Sequence, residues 1–129
     1  MSKQDVPHPT GFELQILKAI WENGPSTVRE VHGALGGDDS RGYTTVLKTM
    51  QIMHGKDLLL RDDSSKAHRY AARHPAETTK AGLVADLLDR VFEGSSTHLI
   101  QFALSTRPAD AAELKNIREL IERAERGEK

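Results

Sequence analysis

Three observations predict a mainly α-helical fold with one small β-hairpin. They are two capping boxes (T-G-F-E from Thr10, T-V-R-E from Thr27), an amphipathic stretch from Gly42 to about Lys56, and two short β-rich runs, LLLRDD and AHRYAA. In a capping box the Thr hydroxyl accepts a backbone N–H three residues on, and the Glu there reaches back to the Thr N–H, so each box marks a helix start. The first helix carries Leu14, Leu17 and Trp21 at helical spacing and stops at Asn23-Gly24-Pro25. The second carries Val28, Val31 and Leu35 and stops at Gly36-Gly37. Asp38, Asp39 and Ser40 form a loop into the third, where about 100° per residue puts Tyr43, Val46, Leu47, Met50 and Met53 on one face. Thr44, Thr45, Lys48, Gln51 and Ile52 fall on the other. Asp57 marks the turn into strands Leu58–Asp62 and Ala67–Ala72, joined by a Ser-rich hairpin. Three helices followed by a hairpin make a winged helix-turn-helix, expected over residues 10–74 behind a flexible segment 1–9.

Pro75 closes this unit, and residues 75–129 return to helical periodicity. The apolar positions are Leu83, Leu87, Val91 and Phe92, then Leu99, Phe102 and Leu104, then Leu114, Ile117, Ile121 and Ala124. The last group has the 3-4-3 spacing of a helical seam. A tail of this size is too small to build a core alone, so these helices are expected to form a homodimerisation region centred on Leu83, Leu87, Val91, Phe92, Leu99, Phe102, Leu114, Ile117 and Ile121.

Composition narrows the function. The 129 residues suit one domain with an appendage, and 37% hydrophobic with 29% charged residues suits a surface-rich helical protein. No apolar run approaches the roughly 20 residues needed to cross a bilayer, and MSKQDVPHPT lacks the apolar core of a secretion signal, so no membrane insertion and a cytoplasmic location are expected. The absence of cysteine excludes disulfides and thiolate metal sites. The six histidines have no i, i+4 pair, no Gly-rich phosphate loop appears, and the Ser95-Ser96-His98 grouping is a local loop pattern, so neither an enzyme nor a metal or cofactor site is expected.

The net charge of −1 conceals an asymmetry. Residues 1–40 carry three Lys/Arg against six Asp/Glu, residues 41–74 seven against three, and residues 75–129 eight against ten. The basic island therefore coincides with the third helix and the hairpin. A recognition helix needs a buried side to anchor it and short polar side chains outward to reach phosphates and base edges. Arg41, Thr44, Thr45, Lys48 and Gln51 are the candidate DNA contacts of that helix, and Arg61, Lys66 and Arg69 those of the wing. Asp62 and Asp63 at the wing's base count against strong phosphate contact there.

ELQILKAIWENGPSTVREVHGAL (Glu13–Leu35), GYTTVLKTM (Gly42–Met50), the strand ending in AHRYAA and VADLLDRVFEGS (Val84–Ser95) together resemble the penicillinase-repressor, or BlaI/MecI-type, family from about Thr10 to Arg123. The resemblance implies a homodimeric winged-helix repressor on inverted-repeat operator DNA, with Thr44, Thr45 and Lys48 facing the DNA and Arg41 at the helix start. It further implies release through a membrane sensor pathway or protease. In sensor-regulated relatives the cut falls before a Phe, and Gln101-Phe102 is the nearest match, although the family pattern favours Asn before that Phe. Relatives commonly have Arg where Ile52 stands, Gly where Asp57 stands, and wings more basic than RDDSSK. The competing expectation is a winged-helix protein-interaction module without sequence-specific DNA binding.

Overall fold

The computed structural model describes residues 6–37 and 41–128; the expected loop at Asp38–Ser40 lies outside the described residues, as does the start of the 1–9 segment. In chain order the elements are α1 (Gly11–Asn23), β1 (Ser26–Thr27), α2 (Val28–Ala34), α3 (Tyr43–Gly55), β2 (Leu59–Asp62), β3 (Arg69–Ala72), α4 (Ala76–Val91), α5 (Ser96–Thr106) and α6 (Ala111–Glu125). The chain divides into two compact units, one ending at Ala85 and the other beginning at Asp86.

Both capping boxes form as the sequence requires. Thr10 Oγ1 accepts the Glu13 N–H and Glu13 Oε1 accepts the Thr10 N–H; Thr27 and Glu30 repeat the arrangement at α2. Gly24, at φ 83°, terminates α1 in a conformation that a Cβ would strain.

The core of the N-terminal unit is made by Ile16, Leu17 and Ile20 of α1, Val28 and Val31 of α2, Val46, Met50 and Met53 of α3, Leu58 and Leu59, and Tyr70 of β3. At about 1.5–3 kcal/mol for each fully buried apolar side chain, this cluster supplies the principal drive to fold. The stripe expected on α1 is incomplete. Leu17 is buried and Trp21 packs at the core's edge, but Ile16 and Ile20 carry the contact while Leu14 is only half-buried. Trp21 Nε1–H donates to the His74 carbonyl at 3.0 Å, which ties the end of α1 to the segment before α4.

The hairpin is part of a larger sheet. Strand order is β1-β3-β2, antiparallel throughout, with Ser26 opposite Tyr70, Thr27 opposite Arg69, and Leu59 opposite Ala72. The two-strand expectation is corrected by β1, whose two residues acquire strand character only by pairing with β3. Both hairpin strands are shorter than expected: β2 begins at Leu59, one residue later, and β3 begins at Arg69 because the residues between Asp62 and Arg69 form a turn. There the Asp62 carboxylate accepts the Ser64 N–H at 2.9 Å.

Two features fix how α3 leaves the core. The first is Glu13, whose two carboxylate oxygens each accept a hydrogen bond from Lys56 Nζ at 2.9 Å, just beyond the end of α3. Burial pushes this carboxyl up, but the Lys56 hydrogen bond, the Thr10 N–H and the Lys56 charge together hold it below its ordinary 4.5. The second is Asp57, at φ 64° in the left-handed region. Asp is among the few side chains that tolerate that conformation, so it can stand at a turn that would otherwise favour Gly.

Lys56→Met should destabilise the fold by about 1 kcal/mol or more in urea unfolding, short of the roughly 3–5 kcal/mol of a fully buried pair. The Glu13 side chain is 6% exposed but that of Lys56 is 40% exposed, so solvent screens the interaction. A lowered carboxyl contributes stability that is complete above its unfolded value near 4.5 and is lost as pH falls through the folded value. Unfolding midpoints of the parent protein should therefore drop with acidification below pH 4.5, and Glu13→Gln should show a shallower drop. At the turn, Asp57→Gly should keep the melting temperature while Asp57→Val should lower it, since a β-branched residue at positive φ costs about 1–2 kcal/mol.

Candidate nucleic-acid interface

Helix α3 is anchored by one face and open on the other. Val46, Met50 and Met53 are fully buried, Leu47 packs at the core's edge, and Thr44, Thr45, Lys48, Gln51 and Ile52 are exposed. The structure thus brings the expected polar set of α3 to one surface. Its N-cap is Gly42, with no side-chain hydrogen bond to the first turn, so that turn's N–H groups face outward with the positive end of the helix dipole. Thr49 lies between the two faces and donates its hydroxyl to the Thr45 carbonyl at 2.8 Å.

Tyr43 departs from the expectation. Helical spacing places it on the core face, but it is 38% exposed and stands outside the core cluster. Its ring meets the His32 ring edge-on at 5.8 Å between centroids, and the Arg29 guanidinium lies 5.5 Å from its centre. His32 Nε2–H donates to the Arg41 carbonyl at 2.9 Å, and the Arg41 guanidinium sits 4.4 Å over the Phe12 ring. Arg41 therefore stands beside the start of α3, stacked on the Phe12 ring.

In the wing, the arginines are already partnered. Arg61 Nε lies 2.8 Å from Asp63 Oδ1, and the same oxygen lies 3.4 Å from His68 Nδ1. The Tyr70 hydroxyl and Asp63 together push the Arg61 guanidinium above its ordinary value. Arg69 Nη1 reaches Glu30 Oε1 at 3.2 Å, and Glu30 is held below its ordinary value first by the Thr27 N–H and further by the Arg69 charge. Among the described residues, Lys48 and Lys66 form no ion pair.

A shallow groove runs between α3 and the wing, with Tyr43, Leu47 and Gln51 on one side and Lys66 and His68 on the other. Arg29 and Arg61 also line it, and among the described residues no carboxylate does. Arg29 is not among the expected contacts. Its membership depends on α2 passing beside α3, and no spacing within VREVH signals that.

The C-terminal unit has the reverse character. Among its described residues none is buried. Leu87, Val91, Phe102 and Ile121 are exposed, and Phe92, Leu99, Leu114 and Ile117 are half-covered; Leu83, also half-covered, belongs to the N-terminal unit. Phe92, His98 and Phe102 form a ring cluster with centroids 5.2–5.8 Å apart. Gln101 and Phe102 are both exposed within α5, so a protease must unwind that helix to reach the bond between them. No described helix is long and apolar enough to cross a membrane, and among the described residues no group of three or more His, Cys, Asp or Glu is placed to hold a metal.

Comparison with known proteins agrees with this geometry. Two relatives, each named transcriptional regulator BlaI and found in Mycobacterium tuberculosis strains CDC 1551 / Oshkosh and ATCC 25618 / H37Rv, are 35% identical over 86 residues. The match takes in 66% of this chain and 62% of each relative, less than two thirds of their length. A family model described as penicillinase repressor matches residues 9–123. With that match running through both compact units, the chain belongs to the penicillinase repressor family.

Proposed function

We propose that this protein is a homodimeric transcriptional repressor that binds an inverted-repeat operator through α3 and the wing. The observation that carries the reading is the two-faced α3: Val46, Met50 and Met53 fix it to the core, so Thr44, Thr45, Lys48 and Gln51 point outward beside a groove lined by cations. Lys48 reads or neutralises at the centre of that face, Thr44, Thr45 and Gln51 supply hydrogen bonds, and Arg41 and Lys66 meet phosphates on either side. Arg61 and Arg69 contribute less, because a phosphate must compete with Asp63 and Glu30 for them.

Dimerisation follows from the C-terminal unit, whose apolar residues remain uncovered in a single chain. A two-fold partner covers them and sets two α3 helices about 34 Å apart, one turn of DNA. Release then needs only the loss of that pairing. A sensor pathway or protease that disrupts the C-terminal unit, by cleavage between Gln101 and Phe102 or otherwise, separates the half-sites while each winged helix stays folded.

The alternative, a protein-interaction module, is favoured by the neutralised wing arginines. Titration of the promoter DNA upstream of the protein's own gene separates the two. Lys48→Ala and Thr44→Ala should abolish the sequence-specific shift and leave the dimer intact by sedimentation, whereas an interaction module binds no DNA that these changes affect. Lys48→Ala and Lys66→Ala should each reduce the slope of log affinity against log salt by about 0.9 for every phosphate that is no longer neutralised, and Arg61→Ala and Arg69→Ala by less. Phe102→Asp should give a monomer by sedimentation and weaken operator binding by tenfold or more, since avidity gains run to about 10²–10⁴.

A further inference from the structure

The exposed face of α3 divides into two rows along the helix. Thr44, Lys48 and Gln51 occupy one; Thr45, Thr49 and Ile52 occupy the other, at positions i, i+4 and i+7. The first row is rich in hydrogen-bonding groups. The second is poor in them, because the Thr49 hydroxyl is engaged by the Thr45 carbonyl and Ile52 has none. Ile52 is also 57% exposed, the most exposed large hydrophobic residue of the described N-terminal unit.

On the edges of base pairs in the major groove the one apolar group is the thymine C5-methyl; every other feature is a hydrogen-bond donor or acceptor. A side chain without polar atoms gains there by covering that methyl. Against a G·C pair it leaves base-edge groups desolvated and unpaired, which costs binding energy. Resting on the repressor reading, we propose that Ile52 is a specificity-determining residue that packs on thymine methyl groups in each operator half-site, while the Thr44–Lys48–Gln51 row makes the hydrogen bonds. Such a contact displaces no counterions, so it sets sequence preference without altering the salt dependence.

The test uses the full-length protein and a duplex that it enriches from a random-sequence library. Affinity is measured by fluorescence anisotropy on that duplex and on the same sequence with uracil in place of thymine, which removes only the methyl groups. Wild-type protein should bind the uracil duplex about fourfold more weakly for each methyl contacted, the effect of one buried methyl-sized group. Ile52→Ala should bind both duplexes equally, with an unchanged salt slope. Specific binding in which uracil has no effect, or weakens Ile52→Ala as much as wild type, overturns the role of Ile52 and leaves the repressor reading standing. Failure to enrich any sequence overturns the repressor reading and the role of Ile52 with it.

Discussion

Glu13 is one carboxylate serving two helices. It closes the capping box at the start of α1 and holds Lys56 just past the end of α3, with both oxygens engaged by the same ammonium. Apolar packing is strong but non-directional, and Val46, Met50 and Met53 alone would let α3 slide or turn by small steps at little cost. The ion pair removes that freedom. It is retained despite a burial that disfavours charge, because a carboxylate so enclosed without Lys56 would be worse placed than one in water. Glu30 repeats the device at the surface: it caps α2 and reaches Arg69 on β3, opposite Thr27 in the sheet. Each capping glutamate thus joins the start of a helix to a cation far along the chain, and between them α3 and the wing are placed on one scaffold.

That scaffold constrains the chemistry of binding. Asp63 and Glu30 pair with two arginines of the wing, while Lys48 and Lys66 form no ion pair among the described residues. A wing whose arginines are already paired would add little non-specific affinity for DNA, since that term scales with the phosphates neutralised. On the proposed reading, base-edge contacts and the joining of two half-sites would then carry more of the binding. The near-neutral net charge, which at first sight weighs against a DNA partner, fits a protein that relies on fit more than on attraction.

What the sequence disclosed was what is encoded locally. Both capping boxes were legible because their partners lie three residues apart, and the buried face of α3 because helical spacing lines up Val46, Met50 and Met53. The sequence did not disclose β1, since Ser26 and Thr27 have no strand pattern and are held by pairing with residues more than forty positions away. Tyr43 misled for a related reason. Its angle places it at the margin of the apolar face, but in the first turn it meets only the side chains of His32 and Arg29 from α2 and not the core, and periodicity carries no information about where a helix meets its neighbours. The Glu13–Lys56 pair, Arg29 beside Tyr43, and the carboxylates that silence Arg61 and Arg69 are all tertiary. For the candidate interface, residue types and faces were readable, but which cations remain free to act was not.

The contrast between the two units bears on regulation. Every buried hydrophobic residue described lies at or before Tyr70, so the winged helix carries its own core, while the C-terminal helices α5 and α6 bury nothing by themselves. Stability and assembly are therefore drawn from different parts of the chain. On the proposed reading, a winged helix that carries its own core would be released from DNA without being unfolded, and its affinity would change with the fraction dimerised. On the proposed reading, occupancy would fall with the concentration of dimer, since a single half-site binds far more weakly than two linked ones. A repressor arranged in this way would respond to any event that reaches the exposed apolar surface of α5 and α6, and its α3 face would not need to change at all.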